Sequence, residues 1–552
     1  MASPSEEEAL SRWQNTQMQG FHQIVALAQN YINEVFRFRW NLEAAIAEAN
    51  HDKAKSLRRL YAESEALEAT LEGQMLAPTV EFVLESDQNK DATPRIIFRL
   101  HFETGKLEYF ASIKDARAGK KTTVLLDGWS VAYLVDIGAG SKIRQADAHN
   151  EIPSEVLNQI NLPGNYNIAR VLFLFSNAEV STFRLASSKT PTLKPEDTDM
   201  FNTLMGKYLE DFRAKKYNTV GYAVTVPDAQ EYKLKATCPP TAVRYQTMAH
   251  HPSGKPEPVA TSGSSQFMFL EMTGDAEFPS DVLRWSGNWV ASGKTGTMAI
   301  CRASIWEGYL LPLISPVIKQ SVLLVNDYVG WAFPDVVKSE GNTWFMSKDH
   351  KQPPDETFKW GKETDAHDGH TFSWTGKADM KSWGFISLDS QSYEGTVTVT
   401  AQWQPGTNRV KITTKQALEV VVRVSSYDPE RSDAKLKYNV TVDWATYVSL
   451  ASVKDGDIDV KIIQDQPTVT GKADYGTSLL SWLFSNSERE KETGNKIREA
   501  IEGKLKSLGL EHQLTAGINA QKHFIVPGAG SFSFDNPVFN KEGDLLIELH
   551  WH

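Results

Sequence analysis

The chain has 552 residues, of which 41% are hydrophobic, 23% charged and 10% aromatic, and its formal charge is -11. This is the composition of a folded globular protein long enough for several domains, and 15 tryptophans speak against disorder over most of it. The acidic balance, with no basic stripe, argues against nucleic acid or an anionic membrane surface as partner, because clustered Lys and Arg hold both.

Ser5 followed by Glu8 forms a capping box, with Glu6 and Glu7 suited to the positive end of a helix that starts there. Phe21, Ile24, Val25, Ala28, Tyr31, Ile32 and Val35 recur at steps of three and four, which predicts a helix with one apolar face. Leu42, Ala45, Ile46, Ala49, Leu57, Leu60, Leu67 and Leu71 extend the pattern until Pro78, so residues 1–77 are expected to form a helical hairpin packed on the first lobe.

After Pro78 the period changes to two. "TVEFVLE", "RIIFRLHFE", "KLEYFASI", "TTVLLDGWSVAYLVDI" and "ARVLFLF" read as antiparallel strands, with Thr104-Gly105 as a hairpin turn. One helix from about Asp197 carries Phe201, Leu204, Met205, Tyr208 and Phe212. The strands then resume, giving a first β-rich lobe over residues 78–249. "HHPSGKPEPVATSGSS", residues 250–265, has the proline, glycine and serine content of a linker or exposed loop.

Residues 266–552 are expected to form a second β-rich lobe, with strands near Phe267 to Met272 and Met298 to Arg302. The apolar helix "SIWEGYLLPLISPVIKQ" follows, and then "GTVTVTAQW", "RVKITTK", "LEVVVRVSS" and "KLKYNVTVDW". A late helix from about Thr477 to Leu508 begins with Leu479, Leu480, Trp482, Leu483 and Phe484. Closing strands are "SFSFDNPVF" and "DLLIELHWH". Long antiparallel strands with a few long apolar helices do not alternate as βαβ units do, which gives an α+β class with curved sheets laid around the helices.

Catalytic signatures are weak throughout. Gly293-Lys294-Thr295 resembles a phosphate loop, but five residues instead of four separate Gly287 from Gly293 and Gly296 interrupts any following helix, so the segment reads as strand, turn and strand. Gly138-Ala139-Gly140-Ser141 lacks the third glycine of a dinucleotide fingerprint and reads as a hairpin tip. No Gly-x-Ser-x-Gly elbow occurs. Asp365, His367, Asp368 and His370 offer imidazole and carboxylate donors for a divalent metal, within a polar run that also reads as a solvated loop. Glu548, His550 and His552 share one face of a terminal strand, for which a polar edge is the plainer account. His250 and His251 are adjacent, so an extended backbone sends them apart. No cofactor is implied. Two cysteines, Cys238 and Cys301, fit free thiols; the acidic N-terminus lacks a signal-peptide pattern and no window of about 18 apolar residues spans a membrane. A cytoplasmic protein, or one released by an unconventional route, is expected.

Three stretches carry a family resemblance. "FHQIVALAQNYINEVF", with its Ile32-Asn33 pair, "LRWSGNW" followed by "GTMAICRASIWEGYLLPLI", and "FIVPGAGSFSFDNPVFNKEGDLLIEL" resemble the tubular lipid-binding (TULIP) superfamily. The likeness is to the P-47-type accessory proteins of botulinum neurotoxin clusters and related fungal proteins. It implies long curved antiparallel sheets wrapped around a helix to form an apolar tunnel or groove, with the opening stretch as strands leading into that helix. No catalytic residues come with it.

The expected function is non-enzymatic binding of lipid or another apolar small molecule. Trp306, Tyr309, Leu310, Leu311 and Leu313 are the candidate apolar lining, joined by Trp482, Leu483 and Phe484. The alternative is a protein-interaction or accessory component of a toxin or defence complex with a dry core. A third reading is a metal-dependent enzyme using His367, Asp368 and His370.

Overall fold

The computed structural model describes residues 4–49, 56–83, 93–143, 147–160, 166–175, 195–227, 237–251, 263–321, 360–362, 369–380, 388–424, 434–452, 458–475, 512 and 524–552. Helix α1 (Pro4–Asn15) precedes strand β1 (Gln23–Ala28), which passes directly into α2 (Gln29–Ala49). An antiparallel series follows, comprising β2 (Arg59–Ser64), β3 (Ala69–Phe82), β4 (Arg95–Tyr109), β5 (Thr122–Leu125), β6 (Ser130–Ile143), β7 (Asn167–Leu174) and β8 (Thr219–Thr225). Among the described residues, four helices lie between these strands: α3 (Ile113–Arg117), α4 (Ala148–Glu151), α5 (Ser154–Ile160) and α6 (Pro195–Ala214). The strands form one sheet in the order β2-β3-β4-β6-β7-β8, with β5 on β4.

Strands β9 (Pro240–Met248), β10 (Gln266–Thr273) and β11 (Gly296–Ile300) lead to a π-helix (Ala303–Leu310) that continues as α7 (Leu311–Ser321). Then come β12 (Trp360–Lys362), β13 (Gly369–Met380), β14 (Leu388–Trp403), β15 (Arg409–Val424), β16 (Ala434–Ser452), β17 (Ile458–Gln464) and β18 (Thr468–Tyr475). They make a second sheet ordered β12-β13-β14-β15-β16-β17, with β18 also on β16. The 19 residues of β16 span about 60 Å at the usual rise per strand residue. Strands β19 (Phe532–Phe539) and β20 (Leu545–Trp551) close the chain and complete a third sheet, β19-β20-β11-β1-β10-β9. The architecture is strand-rich and antiparallel, with a curled sheet.

One apolar core joins all three sheets. It runs from Ile96, Phe98 and Phe173 through Val25 and Phe267 to Val399, Trp403 and Val410, and takes in the inner faces of α2, α6, the π-helix and α7. The third sheet is covered on its other side by Met18, Phe21, Leu283, Trp289 and Val290.

Being covered twice explains one departure from the sequence reading. "QIVALA" is buried at every position and forms the strand β1, paired with β10 and β11, where the three-and-four spacing predicts helix. A short continuous apolar run fits a buried strand as well as a buried helix. The helix begins only at Gln29, so the order of strand then helix is the one that the family resemblance implies.

The expected helical hairpin is also corrected. Leu60, Leu67 and Leu71 lie on or beside β2 and β3, which pair in register from Arg59↔Gln74 to Ser64↔Ala69. Leu60, Ala62, Ala69 and Leu71 are buried while Arg59, Tyr61 and Glu63 are exposed, a period-two pattern that the three-and-four spacing of leucines hid. Among the described residues the longest helices, α2 and α6, are amphipathic, not apolar on all sides: α2 buries Tyr31, Ile32, Val35, Phe36, Trp40 and Ala44 and exposes Glu34, Arg37 and Asn41, and the expected late helix from Thr477 to Leu508 lies outside the described residues.

Three smaller expectations change as well. Thr104-Gly105 is no turn, because β4 runs through it; Gly105 faces Gly73 of β3, and a Cβ on either would press on Phe102 and the facing backbone. Gly138 and Gly140 lie within β6 at a bulge, where side chains would collide with Leu174 and Leu172. Around Gly293 the turn and β11 are present, Lys294 N–H donating to Ala291 C=O at 3.0 Å and Gly293 having φ 75°, but no strand precedes them.

Candidate functional site

The predicted apolar lining is enclosed. Trp306 and Leu310 are 0% and 1% exposed, Tyr309 and Leu311 are buried, and Leu313 packs on the same core. The Trp306 indole stands edge-on to Trp403 at 5.4 Å and donates from Nε1 to His370 Nδ1 at 2.7 Å, which leaves the imidazole proton on Nε2. Arg302, just before the π-helix, lies over the Trp403 ring at 4.9 Å, and its N–H donates to Asp544 Oδ1 at 2.8 Å. The structure therefore brings Trp306, Tyr309, Leu310, Leu311 and Leu313 together on one face. Trp482, Leu483 and Phe484 lie outside the described residues, as do Asp365, His367 and Asp368. Among the described residues no group of three His, Cys, Asp or Glu is placed to hold a metal ion.

The terminal strand carries no ligand set either. It is not an edge, since β20 pairs with both β19 and β11. Glu548 is engaged by Arg12 at 2.9 Å, Lys294 at 3.1 Å and Asn536 at 3.2 Å, while His552 meets Ser533 Oγ at 2.7 Å.

A Glu8, His250 and Ser292 cluster superficially resembles a hydrolase triad. Ser292 Oγ lies 3.1 Å from His250 Nε2, but Glu8 Oε1 lies 3.0 Å from the same nitrogen and also accepts from Ser292 Oγ and N. A triad needs its carboxylate on the opposite ring nitrogen, to orient the base. His250 Nδ1 has no hydrogen-bond partner, so this geometry fastens α1 to the 292 turn instead of activating the hydroxyl.

An open apolar site lies elsewhere, beside α2. Tyr31, Val35, Phe38, Leu42 and Ile46 follow one another at steps of four and three, hence along one line of the helix. The line starts in the core and ends outside it: Tyr31 and Val35 are buried, whereas Leu42 is 50% and Ile46 53% exposed. The core-facing side has by then turned to Trp40 and Ala44. The spacing was legible in the sequence, but the turning away was not, because it depends on where the sheet stops.

Leu42 and Ile46, with Ala47, form one wall of a cavity of about 600 Å³. Ile152 and Pro153, after α4, form another, and the turn after α6, Lys215 to Thr219, closes it with Tyr222 of β8. Its charged groups are Arg39, Lys215 and Lys216 against Glu43 and Glu151. Arg39 donates to Thr219 C=O at 3.0 Å, Lys215 lies 3.7 Å from Glu43, and Lys216 lies 3.7 Å from Glu151, which also pairs with Arg170. The Glu43 carboxylate accepts from Leu57 N–H and Ser56 Oγ at 3.1 Å, tying the end of α2 to the start of the first sheet. Burial holds the Tyr217 and Tyr222 phenols above their usual range, reinforced at Tyr217 by Glu43, so both remain O–H donors. The lining has no nucleophile paired with a base. It offers an apolar wall, hydrogen-bond donors and positive charge.

No family model and no curated protein matches the chain. Among solved structures it is similar to P47 of Clostridium botulinum E1, at 9% identity and a TM-score of 0.46, over 97% of this chain and 99% of that one. It is similar to P47 from Clostridium botulinum A2, at 10% identity and a TM-score of 0.45, over 97% and 98%. A lipopolysaccharide binding protein is also similar, at 10% identity and a TM-score of 0.35, over 96% and 99%. P47 proteins, of the type that the sequence stretches resemble, are among the solved structures to which the chain is similar. No helix among the described residues is long and apolar enough to cross a membrane.

Proposed function

We propose that the chain binds a lipid or another amphiphilic small molecule, without chemical conversion, in the groove beside α2. The observation that supports this is the half-exposed Leu42 and Ile46 on the wall of a cavity of about 600 Å³, within the usual size range of small-molecule sites. Apolar side chains left half in water gain by covering, and each methylene buried against them contributes about 0.8 kcal/mol. A groove of this kind needs no catalytic signature to bind tightly.

The test is titration of the purified protein with a fluorescent fatty acid, alongside Leu42→Glu/Ile46→Glu. Both residues are solvent-facing, so the double variant should fold with stability within about 1 kcal/mol of the parent. Saturable binding by the parent and its loss in the variant are expected. Equal binding by the two proteins would place the site elsewhere, and no saturation by the parent would end the reading.

A second reading, an accessory or interaction protein with a dry core, is favoured by one observation. The face of the π-helix and α7 that the sequence marks as ligand lining, centred on Trp306, is enclosed by protein side chains.

A further inference from the structure

We propose that the ligand of the α2 groove carries an anionic head, held by Arg170, Arg213 and Lys216; this rests on the groove being the binding site. A second cavity, of about 430 Å³, adjoins the first and shares Lys216 and Thr219 with it. Its walls are Leu172, Phe173, Leu174 and Phe175 of and after β7, with Arg170, Arg213, Lys216 and Asn218 as polar groups and no carboxylate among the described lining residues, although Glu151 of the first cavity pairs with Arg170 and Lys216. Taken together the two cavities are lined by Arg39, Arg170, Arg213, Lys215 and Lys216 against Glu43 and Glu151. That is a local excess of positive charge on a chain whose formal charge is -11. Apolar wall beside cationic end is complementary to an acyl chain ending in a phosphate or carboxylate.

Lys216 supplies an independent observation. Helix α6 ends with Tyr217 N–H donating to Phe212 C=O at 3.1 Å and Lys216 N–H to Arg213 C=O at 2.9 Å, the paired bonds of a Schellman ending. Lys216 occupies the left-handed position of that ending, φ 64°, where glycine is the comfortable residue. A lysine held in this conformation at the junction of both cavities is stability given up for a charge at that point. Cations near a helix C-terminus also offset its dipole, a purely structural role. The two roles separate on substitution, because Lys216→Gly relieves the backbone and removes only the side chain.

The experiment is displacement of the bound fluorescent fatty acid by three probes below their micellar concentrations: palmitoyl lysophosphatidic acid, monopalmitoylglycerol and inorganic phosphate. The parent should bind the phosphate ester at least about tenfold more tightly than the neutral ester, as charge-assisted hydrogen bonds to a phosphate imply. Lys216→Gly/Arg213→Gln should keep its affinity for the neutral ester, shrink the preference to about twofold, and unfold no earlier than the parent. Equal affinity of the parent for both esters, or a preference that survives in the variant, overturns the anionic head while leaving the groove standing. Failure of both esters to displace the fatty acid takes down groove and head together. Inorganic phosphate binding as tightly as the phosphate ester would make this a site for the free ion, which overturns the lipid source.

Discussion

Glu271 lies on β10 directly across from Gln23 of β1, and both are fully buried. Gln23 Nε2 donates to Glu271 Oε2 at 2.5 Å, while Glu271 Oε1 and Gln23 Oε1 have no hydrogen-bond partner. A proton on Glu271 Oε1 joins these two oxygens and completes a reciprocal pair of bonds between acid and amide. Burial accordingly pushes the Glu271 carboxyl well above its usual 4.5, against the smaller opposing effect of Gln23. The folded chain therefore binds a proton that the unfolded chain releases, and stability falls as pH rises from about 4.5 toward the folded value. While the folded carboxyl keeps that proton and the unfolded one has lost it, each further pH unit above 4.5 costs about 1.4 kcal/mol. Glu271→Gln keeps both bonds and removes the cost. Denaturant midpoints followed by tryptophan fluorescence should show the variant equal to the parent near pH 4 and more stable than it at pH 7, the gap widening with pH at up to about 1.4 kcal/mol per unit. A variant less stable than the parent at pH 7, or a parent whose midpoint does not fall between pH 5 and 7 relative to the variant, would refute the reasoning.

Two further outcomes follow from the same geometry. Burial raises the carboxyls of Glu8 and Glu548, but His250 and Ser292 at the first, and Arg12, Asn536 and Lys294 at the second, hold both below 4.5 on balance. Their contribution is present above 4.5 and lost as pH falls, so amide protection across Pro4–Asn15 should drop in acid before that of β1 and β10; Arg12→Ala, which leaves Glu548 to Lys294 and Asn536 alone, should cost about 1–3 kcal/mol, read from denaturant midpoints. Trp306→Ala should cost about 3–5 kcal/mol and leave fatty-acid affinity unchanged, by titration of the folded variant; lost affinity with stability retained would move the site to the π-helix.

Much of the fold was legible where one face of a sheet meets water. β4, β6 and β7 follow the period-two runs, and α6 follows the spacing of Phe201, Leu204, Met205, Tyr208 and Phe212, all of them buried. The misreadings fall where that contrast is missing. β1 is buried on both sides, so it shows no alternation, and β2 and β3 carry leucines whose spacing happens to suit a helix. Gly73, Gly105, Gly138 and Gly140 are needed for close approach within long strands, and from sequence a glycine pair there cannot be told from a turn. The sequence reads Trp306 as part of a helix and it stands in the π-helix, but its enclosure depends on Trp403 and His370, many residues later in the chain. The groove escaped notice because Leu42, Ile152, Lys216 and Tyr222 come from four separate segments and no local spacing links them.

Native mass spectrometry of the protein as purified, followed by solvent extraction, is the most direct measurement. A recurrent adduct that extracts as an acidic lipid, and is absent from Leu42→Glu/Ile46→Glu, is the expected result. A bare mass that stays bare after incubation with mixed lipids would contradict the lipid-binding function and favour the interaction protein with the dry core.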